Sequence, residues 1–256
     1  WYTCAILDNG STSCWGYKGD GRLGNGTLNY NQATPMLTST LGVNRSAAGI
    51  SSGTSHTCTA LDNGSISCWG DGGSGKLGNG NTSSQLTPTL TSSLGTGRTV
   101  ALSERDFDGN DVLNIFQGRL PIFDNSGIKI SSGLYHTCAI TEDGLVSCWG
   151  QGSYGQLGNG QANSSYTPTL TSSLGAGRTA VAISSGNFHT CAILDNGSVS
   201  CWGQGFYGQL GNGGTSDKTT PTLTSSLGAG RTAVAISSGM YHTCAILDNG
   251  SVSCWG

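Results

Sequence analysis

Ten cysteines are the residues of this sequence whose type and spacing specify chemistry most directly. They fall into five pairs, each ten positions apart: Cys4 and Cys14, Cys58 and Cys68, Cys138 and Cys148, Cys191 and Cys201, Cys244 and Cys254. Paired thiols hold zinc or oxidise to disulfides. Nine intervening residues do not match the short spacing of zinc knuckles, so disulfides are expected, in an oxidising extracellular or cell-surface compartment. A second set of ligand atoms lies in the run Asp106-Phe107-Asp108-Gly109-Asn110-Asp111-Val112-Leu113-Asn114. Its alternating hard oxygens resemble a calcium loop, with Asp106, Asp108, Asn110, Val112 and Asn114 as candidate Ca²⁺ ligands. The run departs from the EF-hand, because Asp111 stands where Gly is expected and Gln117 where a bidentate Glu would sit. It is closer to the short Asp-rich calcium loops of extracellular proteins; the alternative is an ordinary acidic surface turn.

Other reactive side chains carry less. His56, His136, His189 and His242 recur one per repeat without added carboxylates. A metal ring is therefore disfavoured, and each His is expected to hydrogen-bond backbone within its own blade. Gly70-Asp71-Gly72-Gly73-Ser74-Gly75-Lys76 imitates a phosphate loop but is followed by Leu77 instead of Ser or Thr. No Ser/His/Asp set stands apart from the repeats, so no enzymatic activity and no essential cofactor are expected.

The elements that position these residues follow from repetition. The first cysteines recur after 54, 80, 53 and 53 residues, and the long interval is one period plus an insertion of about 27 near 102–128. One period holds four short strand-like segments and no helical window: 221–224, 232–238, 242–247 and 251–255 in the last copy. Pro221 restricts its segment to a strand start or an edge. Four short strands per period is the pattern of a β-propeller blade, so the fold class is all-β, a propeller of repeats of about 53 residues. A three-residue Asp-Asn-Gly loop with its Gly left-handed would put Cys191 directly opposite Cys201; a two-residue Asn-Gly turn would point the two sulfurs to opposite sides. The bulged turn is expected. The Trp of each Cys-Trp-Gly (Trp15, Trp69, Trp149, Trp202, Trp255) reads as core or inter-blade packing.

Composition narrows the function classes. Gly contributes 43 of 256 residues, charged residues are 10%, and the formal net charge is −3. No basic stripe suits nucleic acid, and no apolar run approaches a membrane span. Repetition in fixed register argues against the disorder that such a composition otherwise suggests.

At His-Thr-Cys-Ala-Ile-Leu-Asp-Asn-Gly-Ser-Val-Ser-Cys-Trp-Gly (189–203), with Gly-Gln-Leu-Gly-Asn-Gly and Thr-Pro following, the sequence resembles the regulator of chromosome condensation repeat family. It looks most like a secreted, cysteine-paired prokaryotic branch. The resemblance covers nearly all of the chain outside the insertion; the first copy departs from it, with Tyr2 where the others have His. It implies a propeller, commonly seven-bladed, that binds other macromolecules. The nucleotide exchange and chromatin binding of the eukaryotic namesake remain a remote alternative, which paired cysteines and the lack of a basic patch argue against.

Loops that vary between copies and carry aromatics mark a candidate binding surface: Tyr17, Tyr135, Tyr154, Phe188, Phe206, Tyr207 and Tyr241. Sequons at Asn9, Asn25, Asn44, Asn63, Asn81, Asn163, Asn196 and Asn249 are candidate glycosylation sites, four of them in the hairpin turn itself. The expected function is a non-enzymatic extracellular module binding a protein or glycan. The alternative is a structural subunit that pairs with further copies of itself in a filament or surface layer. As one repeat domain, residues 1–256 amount to about four and a half blades. Closure is expected to need either a longer chain or completion by a neighbour.

Overall fold

The computed structural model describes residues 2–28, 31–102 and 129–256, which form eighteen strands in five antiparallel sheets. The first sheet contains β1 (Tyr2–Ile6), β2 (Thr12–Gly16) and β3 (Gln32–Leu37). The second contains β4 (Ala47–Ser52), β5 (His56–Leu61), β6 (Ile66–Gly70) and β7 (Gln85–Leu90). The third contains β8 (Ile130–Ser132), β9 (His136–Ile140), β10 (Val146–Gly150) and β11 (Ser165–Leu170). The fourth contains β12 (Ala180–Ser185), β13 (His189–Leu194), β14 (Val199–Gly203) and β15 (Lys218–Leu223). The fifth contains β16 (Ala233–Ser238), β17 (Thr243–Leu247) and β18 (Val252–Trp255). Each sheet pairs consecutive strands in order, as a propeller blade does.

Sequence explains the order within a blade. The middle strands β5, β6, β13 and β14 are buried along their whole length, because neighbouring blades cover both faces. Pro35, Pro88, Pro168 and Pro221 all fall in β3, β7, β11 and β15, the outer edge strands, where a missing amide costs no ladder bond. The inner strands meet across blades through serine. Ser132 N donates to Ser51 Oγ at 2.9 Å, Ser185 N to Ser131 Oγ at 2.9 Å, and Ser238 N to Ser184 Oγ at 2.8 Å.

The hairpin that carries each cysteine pair has the expected bulged turn. Gly197 N donates to Leu194 O, Leu194 N donates to Ser198 O, and Gly197 has φ +76°. This is a type I turn closed by a left-handed Gly, and it sets Cys191 opposite Cys201 in the register. Disulfides join all five pairs, with Cα atoms 4.1 Å apart in each. A Cβ on Gly197 would also come within 2.5 Å of Thr232 Cβ, so the turn and the incoming linker both need glycine there.

Candidate binding face

Strand direction sorts the loops into two sets. The Asp-Asn-Gly hairpins and the Leu-Gly-x-Gly-Arg linkers lie at one end of the strands. The turn ahead of each His and the loop after each Cys-Trp-Gly lie at the other. The second end is held by a joint repeated between successive blades.

At that joint the loop carbonyls of Lys76, Gln156 and Gln209 each accept two hydrogen bonds from the next blade. Trp149, Trp202 and Trp255 donate through Nε1 at 3.0 Å, and Thr137, Thr190 and Thr243 through Oγ1 at 3.1–3.2 Å. The same hydroxyls lie 2.7–2.8 Å from Nε2 of His56, His136 and His189 on the preceding blade. Each hydroxyl spends its one proton on the carbonyl, so the imidazole Nε2 must donate, and Nδ1 carries the lone pair. Those three Nδ1 atoms are buried without a hydrogen-bond partner. Burial, above all, pushes His56 and His136 down to about 3 and His189 to about 4, so the rings are neutral. Sequence reasoning placed each His on backbone of its own blade; for His56, His136 and His189 the partner is instead a threonine side chain of the next blade. Tyr2 fills the same role in the first blade: its hydroxyl accepts from Thr57 Oγ1 at 2.9 Å and donates to His56 O at 2.5 Å.

The tryptophans seal the joint. Trp69, Trp149 and Trp202 are fully buried, and the first Gly of each Leu-Gly-Asn-Gly packs beneath the next blade's indole. A Cβ on Gly158 would lie 2.8 Å from Trp202 Nε1.

The loops after Cys-Trp-Gly in the first, second and fourth blades are braced by two residues five apart, and the pair differs between these blades. Lys76 Nζ meets Asp71 Oδ2 at 2.5 Å, with Lys76 buried. Burial alone would raise the Asp71 carboxyl, but hydrogen bonds from Lys76 and the Gly73 amide hold it below its ordinary value. The phosphate-loop-like run is therefore an internal ion pair. In the fourth blade the corresponding pair is Gln209 Nε2 to Gln204 Oε1 at 3.2 Å, and in the first Arg22 lies over the Tyr17 ring at 4.8 Å.

The candidate binding aromatics gather on this end. Tyr154 and Tyr135 contact Phe188 at ring distances of 5.3 and 6.0 Å. Tyr207 touches Phe206 at 5.0 Å and Tyr241 at 4.6 Å. Phe206 is 67% exposed, Met240 53% and Tyr207 50%. Beside them, Thr54, Leu134, Asn187 and Met240 rim an open depression of about 320 Å³ where the inner strands converge. Sequence reasoning thus named the aromatics but missed the cation–ring contacts of Arg22 and Lys76, whose signal was the paired change at positions 17/22 and 71/76.

Models of the regulator of chromosome condensation (RCC1) repeat match residues 9–60, 63–103, 143–193 and 196–246, and again 128–156 and 180–209. The chain belongs to the RCC1 repeat family. Human E3 ubiquitin-protein ligase HERC2 is 28% identical over 270 residues, covering 95% of this chain and 6% of that protein. The ultraviolet-B receptor UVR8 of Arabidopsis thaliana is 28% identical over 280 residues, covering this whole chain and 63% of the receptor. The chain thus spans less than two thirds of these curated relatives. Among solved structures, Prp20p from Saccharomyces cerevisiae matches the whole chain at 18% identity and TM-score 0.56, over 69% of its own length. The CRINKLY ectodomain of the Arabidopsis thaliana receptor kinase ACR4 matches it at 18% identity and TM-score 0.54, over 64% of its length. Both share the fold.

Remaining sequence-derived sites divide by RCC1-repeat position. The calcium run at Asp106, Asp108, Asn110, Val112 and Asn114 lies outside the described residues. Among the described residues no cluster of three or more His, Cys, Asp or Glu could hold a metal ion, and no helix is long and apolar enough to cross a membrane. The hairpin sequons have a structural explanation: Oδ1 of Asn9, Asn63, Asn196 and Asn249 accepts from the hydroxyl of the Ser two residues on at 2.7 Å. Asn44 has φ +54° where other repeats use Gly97, Gly177 and Gly230, so it too is a turn residue. Asn81 and Asn163 are exposed in loops of the aromatic end, and Asn25 is half-buried there.

Proposed function

We propose that this chain is a non-enzymatic binding module of an oxidising extracellular compartment, which engages a macromolecular ligand through its aromatic loop end. One observation carries the reading: large aromatic side chains stay exposed on the loops that differ between repeats, at the end where the His–Thr–Trp hydrogen bonds join successive blades. Exposed aromatics in contact with one another are unusual on a surface without a ligand. Tyrosine, serine, glycine and asparagine on a rigid frame supply contact area at little entropic cost. Five disulfides support the oxidising compartment. Prp20p, which shares the fold, has described binding to Gsp1p and histones, and the ACR4 match is an ectodomain. Both support macromolecular recognition by such a scaffold.

The test arrays the oxidised chain against panels of extracellular proteins and glycans. Two variants run beside it, Phe206→Ser/Tyr207→Ser/Tyr241→Ser and the opposite-end control Arg178→Ser/Arg231→Ser. Ligands that bind the wild type and the control but not the aromatic variant are expected. Binding that survives the aromatic variant and disappears in the control would overturn the assignment.

A further inference from the structure

The repeats provide an internal comparison of what their aromatic rings contact. In the second blade the loop residue six positions after Trp-Gly is Lys76, and its Nζ lies 5.1 Å from the centroid of Tyr135, the residue ahead of the next blade's His. In the first blade the same position is Arg22, whose guanidinium lies 4.8 Å from Tyr17 and 5.7 Å from Tyr2. Both cations are themselves buried. In the third and fourth blades the position is Gln156 and Gln209, neutral and hydrogen-bonded to the amides of Tyr154 and Tyr207. There the ring count rises instead. Phe188 and Tyr154 join Tyr135 at one joint, and Phe206 and Tyr207 join Tyr241 at the next. Arg22 lies over Tyr2 and Tyr17 and Lys76 over Tyr135, whereas the Phe206–Tyr207–Tyr241 cluster has rings with neither cation over them.

Resting on the binding face argued above, we propose that the Phe206–Tyr207–Tyr241 cluster of the last joint receives a lysine or arginine side chain of a protein ligand. The incoming cation takes the place that Lys76 fills over Tyr135. Ring faces carry the negative lobe of the quadrupole and attract ammonium or guanidinium groups within about 6 Å. The net charge of −3 and the absence of a competing internal cation at that cluster favour the same class of partner.

The experiment titrates the full oxidised chain with a short peptide of alternating Gly and Arg, and with its neutral citrulline counterpart, following aromatic resonances by NMR. The arginine peptide is expected to bind about tenfold more tightly, with shifts at Phe206, Tyr207 and Tyr241. The double variant Gln204→Asp/Gln209→Lys installs the second blade's own pair and should occupy the Tyr241 ring from within, abolishing the arginine preference at that cluster. If that variant fails to fold, Phe206→Leu/Tyr241→Leu, on exposed positions, gives the same readout. Equal binding of the two peptides, no saturable binding of the arginine peptide, or an arginine preference intact in a folded variant would each overturn the proposal. A ligand that requires Phe206 and Tyr207 yet offers no accessible Lys or Arg overturns the cationic class and leaves the binding face standing. Ligands indifferent to both rings overturn the two together.

Discussion

The two ends of the strands differ in how freely they vary, and the difference separates scaffold from recognition. At the hairpin end the repeats are nearly copies. Arg45, Arg98, Arg178 and Arg231 each pair with Asp62, Asp143, Asp195 and Asp248 at 2.9–3.4 Å, and the Asp-Asn-Gly turns share one geometry. At the other end, over the His–Thr–Trp joint, the loops present Thr54 and Ser55, then Leu134 and Tyr135, Asn187 and Phe188, Met240 and Tyr241. Constancy beneath and variation above is what a rigid frame carrying a presented surface requires. Changes to the joint should therefore act on stability, and changes to the aromatic loops on binding.

Acid gives the largest expected effect. His56, His136 and His189 are held neutral at about 3 to 4 when folded, whereas an unfolded His titrates near 6.5. Between those values the unfolded chain binds more protons, so stability falls as pH drops through that window and is fully present above it. Each ring should cost about 2 kcal/mol by pH 5, several kcal/mol in all. Urea melts at pH 7 and pH 5 measure this, and an unchanged midpoint would break the picture of a neutral joint. Second, Trp202→Ala should lose about 3–5 kcal/mol, since the side chain is fully buried and its Nε1 bond to Gln156 disappears with it. Third, Cys191→Ala/Cys201→Ala opens a loop of about eleven residues and should cost about 2–3 kcal/mol by urea melts without reductant. Smallest are the surface changes. Arg178→Ala removes an exposed ion pair and should cost at most about 1 kcal/mol, while Phe206→Ser should stay within about 0.5 kcal/mol. A Phe206→Ser loss as large as that of Trp202→Ala would erase the distinction between joint and presented surface.

How much of this was legible in the sequence follows from how local each feature is. The bulged hairpin was readable because cysteine register and a left-handed Gly constrain the same short stretch. The outer position of the Pro-containing strand was readable from one missing amide. The partner of each His was not, because Thr137, Thr190 and Thr243 reach their rings only through the stacking of successive blades, a contact between residues 54 or more positions apart. One hint was present: Thr follows His in every copy, and Thr3 still follows Tyr2 where His is replaced. The role of Lys76 was hidden for a related reason. Alone it imitates a phosphate ligand, and only its exchange together with residue 71, as Asp-Lys against Gln-Gln, shows that it belongs to a brace. The aromatic clusters were legible as residues but not as contacts, since Phe188 meets Tyr154 across a blade boundary.

The most direct test of the account is a hydrogen–deuterium exchange footprint of the oxidised chain with a ligand taken from the extracellular panels. Slowed exchange is predicted in 133–136, 152–156, 186–189, 205–209 and 239–242, with the hairpin end unchanged. Protection confined to 195–197, 226–231 and 248–250 would contradict it, and would make the constant end the surface that binds.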